Sequence, residues 1–159
     1  MKHISRRRFV LVSSIAISVI ACGVTGQRGR YKILGPSNEP TYSDGDWLIT
    51  DKVDLSDIKR GDFVVLDNPV GEGIIHAKRV IALPGEKIEI VSSKVMVDGK
   101  ELEENYLAAG TVTGQFGSTS WTVGTNELFV MGDNRAASQD SRFWGPLDYK
   151  LVRGRVIKE

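Results

Sequence analysis

The sequence predicts an all-β domain that follows one apolar N-terminal segment. The 159 residues include 17 Gly and only 5 Pro, which is typical of a chain with many turns. Short β-prone runs succeed one another after residue 46 and are separated by turn dipeptides such as Gly61-Asp62 and Pro84-Gly85. No window of helical periodicity stands out after residue 30. These observations favour one compact β domain rather than a helical bundle.

Composition excludes several classes of protein. A chain with 41% hydrophobic and 26% charged residues is neither fully disordered nor a polytopic membrane protein. The formal net charge of +1 gives no reason to expect a nucleic-acid partner. A single Cys excludes an intramolecular disulfide, and one Cys with two distant His argues against a metal centre. We therefore expect no metal and no other cofactor.

The N-terminus has the pattern of a membrane anchor. Residues 1–8 form a basic segment, which contains Lys2, His3, Arg6, Arg7 and Arg8. Residues 9–26 then carry no charge, and a helix of that length spans about 27 Å, close to the roughly 30 Å hydrocarbon core of a bilayer. Basic residues before such a segment predict a cytoplasmic N-terminus and place residues 34–159 on the far side of the membrane. Membrane lipid is then a partner.

Two features of the same segment leave other processing open. The stretch Ser5-Arg6-Arg7-Arg8-Phe9-Val10-Leu11 looks like a twin-arginine export signal. Val19-Ile20-Ala21-Cys22 resembles a lipoprotein cleavage box, which would make Cys22 a lipid-bearing N-terminus. An uncleaved anchor, a lipid anchor and simple cleavage all deliver the folded body outside the cytoplasm.

The body reads as strands joined by tight turns, after a basic connector at 27–33. Strands are predicted at 47–50, 63–66, 74–83, 87–91, 94–97, 120–123, 128–131 and 152–157. Asp98-Gly99 between two of these runs is a type I′ hairpin signal. The stretch 108–120 is rich in Gly, Thr and Ser and is predicted to be a surface excursion.

Most catalytic patterns are missing. A Ser-His-Asp triad would have to use His76, and a lone histidine in a strand is more typical of a structural or surface group. No two carboxylates have a spacing that indicates a pair for acid–base catalysis. The Gly-rich stretches match neither a phosphate-binding loop nor a dinucleotide-binding fingerprint.

Three segments concentrate unusual residues instead. In the first, Ser37 lies between prolines that stiffen the backbone. In the second, Lys78 lies inside an otherwise apolar strand, where its charge is costly. The third is a loop dense in hydrogen-bonding side chains. The segments are Gly35-Pro36-Ser37-Asn38-Glu39-Pro40-Thr41, His76-Ala77-Lys78-Arg79-Val80-Ile81-Ala82-Leu83-Pro84-Gly85-Glu86 and residues 131–146.

In this order the segments resemble the signature of the type I signal peptidases. Ser37 aligns with the nucleophile of the Ser-Met-x-Pro-Thr box, and Lys78 aligns with the base of the Lys-Arg-Val-Ile-x-Leu-Pro-Gly box. Residues 132–145 match the box Gly-Asp-Asn-Arg-x-x-Ser-x-Asp-Ser-Arg-x-x-Gly at every fixed position. Residues 61–65 resemble the intervening Gly-Asp strand box. The resemblance runs from residue 1 to about residue 157.

The residues themselves explain how such a pair would work. A serine hydroxyl is a weak nucleophile unless a base accepts its proton. Lysine accepts a proton only when neutral, and its ordinary pKa of about 10.4 must be lowered, which burial in an apolar pocket does. We expect Ile75, Val80 and Ile81 to supply that pocket.

The resemblance also assigns supporting residues. It implies that Ser138 hydrogen-bonds and orients the lysine, and that Asp140 and Arg142 form an ion pair that shapes the third loop. The oxyanion would be met by the Ser37 backbone N–H. Some family members offer a serine side chain at the position of Gly35, which has none. Asn38 stands where the family normally has methionine, in the apolar floor of the substrate site.

The expected function is that of a membrane-anchored Ser/Lys endopeptidase with a coiled β-sheet fold, which cleaves signal peptides from exported preproteins. We expect it to be monomeric. One alternative is a related Ser/Lys maturation protease with one dedicated substrate, which Asn38 and the twin-arginine-like start keep open. The other is a non-catalytic, surface-anchored β module.

Overall fold

The computed structural model describes residues 28–71 and 73–157. The regular structure in these ranges consists of strands, one four-residue helix and two short 3-10 turns. The elements are β1 (Arg28–Lys32), β2 (Trp47–Asp51), β3 (Phe63–Asp67), β4 (Ile75–Ala82), β5 (Lys87–Val91), β6 (Lys94–Val97), β7 (Lys100–Glu101), β8 (Ser120–Thr122), β9 (Glu127–Met131), α1 (Ser141–Trp144), β10 (Leu147–Asp148) and β11 (Val152–Val156). The prediction of an all-β domain is confirmed.

The strands form two antiparallel sheets. A seven-stranded sheet has the order β1-β2-β11-β3-β4-β9-β10, and a four-stranded sheet has the order β7-β6-β5-β8. One buried apolar cluster joins them, because Phe129 and Met131 of the larger sheet pack in the same cluster as Ile88 and Val95 of the smaller one. Strand β4 is central to the larger sheet, between β3 and β9. A side chain in the middle of β4 is therefore shielded from water.

The predicted strands agree closely with the observed ones. All eight β-prone runs correspond to strands, with bounds that differ by no more than one residue at either end. The hairpin between β6 and β7 is also confirmed, since Asp98 and Gly99 have φ angles of 49° and 76° and Val97 pairs with Lys100. Positive φ at both central residues is what a type I′ turn requires.

The segment predicted as a connector forms a strand. β1 pairs along its whole length with β2, with Tyr31 opposite Leu48. The sequence Arg-Gly-Arg-Tyr-Lys lacks the apolar alternation that announces a half-buried strand, because β1 is an edge strand with exposed and partly exposed residues only. Basic side chains on an edge strand are common, since they discourage pairing with other chains.

No helix in 28–71 or 73–157 is long and apolar enough to cross a membrane. The basic segment 1–8, the predicted anchor 9–26 and Cys22 lie outside the described residues.

Candidate functional site

The three segments singled out in the sequence meet at one place. Strand β4 presents Lys78, the turn after β1 presents Ser37, and the loop after β9 closes over both. The backbone of Asn134 in that loop donates a hydrogen bond of 3.1 Å to the carbonyl of Ser37. Gly132 lies so close to the same carbonyl and to Ser138 Oγ that a Cβ added there would come within 3.0 Å of each. The loop and the serine turn therefore fit together only with glycine at 132.

Ser37 and Lys78 are in direct contact. The Nζ atom of Lys78 donates a 2.9 Å hydrogen bond to Ser37 Oγ. The Lys78 side chain is 1% exposed, and this burial lowers its pKa from 10.5 to about 8, although the negative charge of Asp140 opposes the shift. A lysine with such a pKa is neutral in a substantial fraction of molecules at mildly alkaline pH, so it can accept the serine proton.

The apolar surroundings of Lys78 differ in part from the expected ones. Val64 stands directly opposite on β3, Val80 follows on the same face of β4, and both are fully buried. Ile75, by contrast, is 41% exposed and belongs to the other face of the strand, so the expectation that it buries Lys78 is wrong. Burial of the lysine comes from the neighbouring strands as well as from its own.

Ser138 lies at the site but does not hold the lysine. Its side chain is buried, and Ser138 Oγ has no hydrogen-bond partner within the described residues. The hydrogen bond to Lys78 that the resemblance implies is therefore absent from this structure. Ser138 Oγ instead lies against Gly132, while the lysine ammonium is directed to Ser37.

The ion pair expected in the third segment is present. Arg142 Nε lies 2.8 Å from Asp140 Oδ1, and both side chains are inaccessible to solvent. Asp140 also accepts from the backbone N–H of Gly132 at 3.1 Å, and Arg142 donates to the carbonyl of Arg135 at 2.9 Å. These contacts inside the loop fix its shape around Gly132 and Ser138, and Arg142 also reaches outside the loop to the carbonyl of Gly114 at 3.4 Å.

Sequence reasoning missed a second buried ion pair. Arg79 donates to both carboxylate oxygens of Asp133, at 2.8 and 2.7 Å, and to the Gly61 carbonyl at 2.9 Å. The same Asp133 accepts from Thr41 Oγ1. These bonds tie the serine, lysine and loop segments together on the face of β4 opposite Lys78. Alternation along β4 could have revealed this, because an arginine turned into a sheet interior needs a buried acid.

The predicted surface excursion also contributes to the loop. Thr113 within it is buried, and its hydroxyl accepts a 2.6 Å hydrogen bond from Nη1 of Arg135. The Nη2 atom of the same arginine pairs with Glu104. Arg135 in turn donates to the carbonyl of Gly132 at 3.1 Å. The composition of this stretch, which is rich in Gly, Thr and Ser, did not indicate the contact, because the buried guanidinium of Arg135 lies 22 residues further along the chain.

A cavity of about 660 Å³ opens beside Ser37. Its lining includes Ser37, Asn38, Ile33, Val65, His76 and Ala77. Asn38 is 2% exposed. Gly35 adopts a φ of 86° and its N–H donates to Asp44 Oδ1 at 2.7 Å, so it offers the cavity neither a side chain nor a free N–H.

His76 is on the same face of β4 as Lys78. Burial, and then the positive charge of Lys78, lower the pKa of His76 to about 4. It packs against the Trp144 ring with centroids 5.8 Å apart. The imidazole is thus neutral wherever Lys78 can act. In the described ranges there is no group of three or more side chains placed to hold a metal ion.

Comparison with known proteins gives consistent matches. Residues 6–158 match the family model described as signal peptidase, peptidase S26. The chain is 34% identical to signal peptidase I V of Bacillus subtilis (strain 168), over 95% of this chain and 97% of that protein. It is 34% identical to signal peptidase I of Leptolyngbya laminosa, over 92% and 76% of the two chains. A crystal structure of a signal peptidase I from Enterococcus faecalis V583 superposes with a TM-score of 0.53 at 31% identity, over 64% of this chain and 97% of that one.

Proposed function

The chain belongs to the signal peptidase family, peptidase S26, and from this premise we propose that Ser37 and Lys78 are its nucleophile and general base. The chain is accordingly a serine-type endopeptidase of the signal peptidase I type. The observation that carries the assignment of residues is the 2.9 Å hydrogen bond between Ser37 Oγ and the buried Nζ of Lys78.

The proposed reaction has two stages. Neutral Lys78 takes the proton of Ser37, whose oxygen attacks the carbonyl carbon of the scissile bond, and the Ser37 backbone N–H receives the developing oxyanion. The protonated lysine then gives its proton to the leaving amine, and an acyl-enzyme remains on Ser37. In the second stage Lys78 takes a proton from the water that attacks the ester. Lys78 then gives this proton to Ser37 Oγ as the carbon–oxygen bond to the serine breaks, which releases the acid product and restores neutral Lys78.

The third segment supports this pair by position. Asp140 and Arg142 hold the loop that covers Ser37, and Ser138 places a hydroxyl within the same buried region. These residues are positioning groups, because their contacts reach the dyad through Gly132 and the Ser37 carbonyl.

The proposed substrates are the signal peptides of exported preproteins. An extended peptide along the cavity sends alternate side chains into its wall, so the residues one and three before the cut meet the protein. We expect small, uncharged side chains at both positions, because a narrow wall excludes large ones and leaves charged ones without a partner.

We propose that residues 9–26 anchor the chain in the membrane, with residues 34–159 outside the cytoplasm.

A fluorescent signal-peptide substrate tests the proposal directly. Ser37→Ala and Lys78→Met in the full chain should each lower kcat/KM by at least about 1,000-fold. The exposed residues Ser56 and Lys59 provide the matched control variants Ser56→Ala and Lys59→Met, which should retain activity. Substantial cleavage by either dyad variant would exclude the assignment. Cleavage of only one member of a panel of exported preproteins would favour the dedicated maturation protease.

A further inference from the structure

A second cavity borders the segment that carries Ser37. It has a volume of about 450 Å³, and its lining includes Glu39 and Pro40 together with residues 133–136 of the loop after β9. It shares no lining residue with the cavity beside Ser37. The segment that carries the nucleophile therefore borders two separate cavities.

The second cavity begins close to the nucleophile. The backbone N–H of Asn134, one of its lining residues, donates the 3.1 Å hydrogen bond to the Ser37 carbonyl. The N–H of Glu39 donates to the carbonyl of Pro36 at 3.1 Å, which folds the segment into a turn around Ser37. Because two residues of chain span at most about 7 Å, the Cα atom of Glu39 lies within that distance of the Cα atom of Ser37.

The geometry of an extended substrate selects the residue that reaches this cavity. In the proposed binding mode the residues one and three before the cut face the protein, and side chains alternate along an extended chain. The second residue after the cut then faces the protein as well, and its Cα atom lies about 7 Å beyond the scissile carbonyl. The first cavity takes the residues before the cut, so the second is the one available to this residue.

The charged residues that line the second cavity leave one carboxylate available to a substrate. Asp133 is buried and pairs with Arg79 at 2.7 Å, and Arg135 is buried and pairs with Glu104. Glu39, by contrast, is exposed and forms no salt bridge with any other described residue. The cavity therefore presents one unpaired negative charge.

The uncharged part of the lining suits the stem of a long basic side chain. It includes Pro40, Ala136 and Val112, and Val112 is 64% exposed. A lysine side chain packs its methylene groups on such a surface while its ammonium stays in water or pairs with an acid. A glutamate in the same place would meet the like charge of Glu39.

We propose that Glu39 binds a basic side chain on the second residue after the cut, so that this enzyme favours lysine there over glutamate. This inference rests on the proposed function and adds a preference to it. The interaction involves the part of the preprotein that becomes the new N-terminus of the product, and it is independent of the small residues required before the cut.

Peptides that differ in one charge test the preference. They carry lysine, glutamine or glutamate at the second residue after the cut, and a matched set carries the same residues at the sixth. In the full-chain wild type at low ionic strength, kcat/KM for lysine should exceed that for glutamate by about fivefold at the second residue, as an exposed ion pair allows. The ratio should fall below about twofold in about 0.5 M salt, which screens exposed charges. At the sixth residue the ratio should be about one, because that residue lies beyond the reach of Glu39.

Two variants of Glu39 and one control complete the experiment. Glu39→Gln should bring the ratio at the second residue to about one, and Glu39→Lys should reverse the preference. Glu103→Gln removes one negative charge at an exposed residue outside the cavity and should keep the wild-type ratio.

The outcomes separate the two proposals. Equal cleavage of the lysine and glutamate peptides by the wild type would overturn the preference, and so would an unchanged ratio in Glu39→Gln. A ratio at the sixth residue as large as that at the second would show an effect of net charge and would overturn it as well. Cleavage of any of these peptides that is lost in Ser37→Ala upholds the proposed function whatever the ratio is.

Discussion

The burial of Lys78 is unfavourable for its charged form, and the same burial prepares the neutral amine to act as a base. Lys78 lies on β4 between β3 and β9, where its ammonium is buried away from water. Its hydrogen bond to Ser37 Oγ is weaker than the full hydration that it would have in water. The charged form is disfavoured, which is why the pKa falls to about 8. The groups near Lys78 include His76, Asp133, Asp140 and Arg142, of which only the two acids favour the charged form.

The first prediction is the pH dependence of cleavage. We expect kcat/KM to rise about tenfold per pH unit below a midpoint near 8, because only neutral Lys78 accepts the serine proton. His76 should add no step between pH 5 and 8, since its pKa is lowered to about 4. The measurement is the pH–rate profile of the free enzyme. A midpoint near 10.5, the ordinary lysine value, would show that burial does not activate Lys78.

The second prediction concerns stability. Lys78→Met removes a buried charge and should raise the free energy of unfolding at pH 7 by about 1–3 kcal/mol, after the loss of the bond to Ser37 is subtracted. Between pH 8 and 10.5 the unfolded wild type binds more protons than the folded one. Wild-type stability should therefore gain a favourable term as pH rises through this window. The term should be absent in Lys78→Met.

Urea unfolding of both proteins at pH 7 and pH 10 measures this difference. The advantage of Lys78→Met should shrink as pH rises, because Lys78 in the wild type is then neutral when folded. A variant that is less stable than the wild type at pH 7 would contradict a burial cost at this position.

At the scale of elements, the sequence pointed to the meeting of Ser37 with Lys78 and to the ion pair of Asp140 with Arg142, but not to the contact of Arg79 with Asp133. Alternation along an apolar strand placed Lys78 inside the sheet, and the two prolines marked the turn at Ser37. The pairing of Arg79 with Asp133 was missed because their positions are 54 residues apart. The absence of a bond from Ser138 to Lys78 could not be foreseen either, since a pattern specifies which residues meet and not which hydrogen bonds they make.

The third prediction tests how the loop after β9 holds the serine turn. In Gly132→Ala the new Cβ would come within 3.0 Å of the Ser37 carbonyl and of Ser138 Oγ, so one of them must move. A shift of about 1 Å at a nucleophile can lower the rate about 100-fold, and we expect a loss of that size in kcat/KM. Gly114→Ala is the control, because its Cβ would make only ordinary contacts with Phe116. Equal activity of the two variants would exclude the role given to Gly132.

At the scale of the whole molecule, the sequence predicted the strands better than their arrangement. Runs of apolar and β-branched residues mark strands locally, and Asp98-Gly99 fixes one hairpin. The placement of β11 between β2 and β3 depends on pairings more than 80 residues apart, which no local pattern contains. β1 was missed because an edge strand needs no apolar face.

The last prediction follows from the cluster that joins the two sheets. Phe129 on β9 is fully buried in it and packs on Trp121 of β8 with ring centroids 4.9 Å apart. Phe129→Ala should lower the free energy of unfolding by about 3–5 kcal/mol. Because residues of both sheets share the cluster, amide exchange should accelerate in β5 as well as in β4.

Phe143→Ala is the matched control for this variant. Phe143 is 49% exposed and stacks on the ring of Phe116, which is also exposed, so its loss should cost less than about 1 kcal/mol. Hydrogen exchange followed by mass spectrometry on the wild type and both variants separates the two cases.

If Phe129→Ala releases the four-stranded sheet while the amides of β3 and β4 keep their protection, the sheets unfold independently. The dyad on β4 would then not depend on the smaller sheet. We expect the opposite, because Ile81 of β4 belongs to the same cluster as Phe129 and Ile88, so cooperative unfolding should expose Lys78 whichever sheet is weakened first.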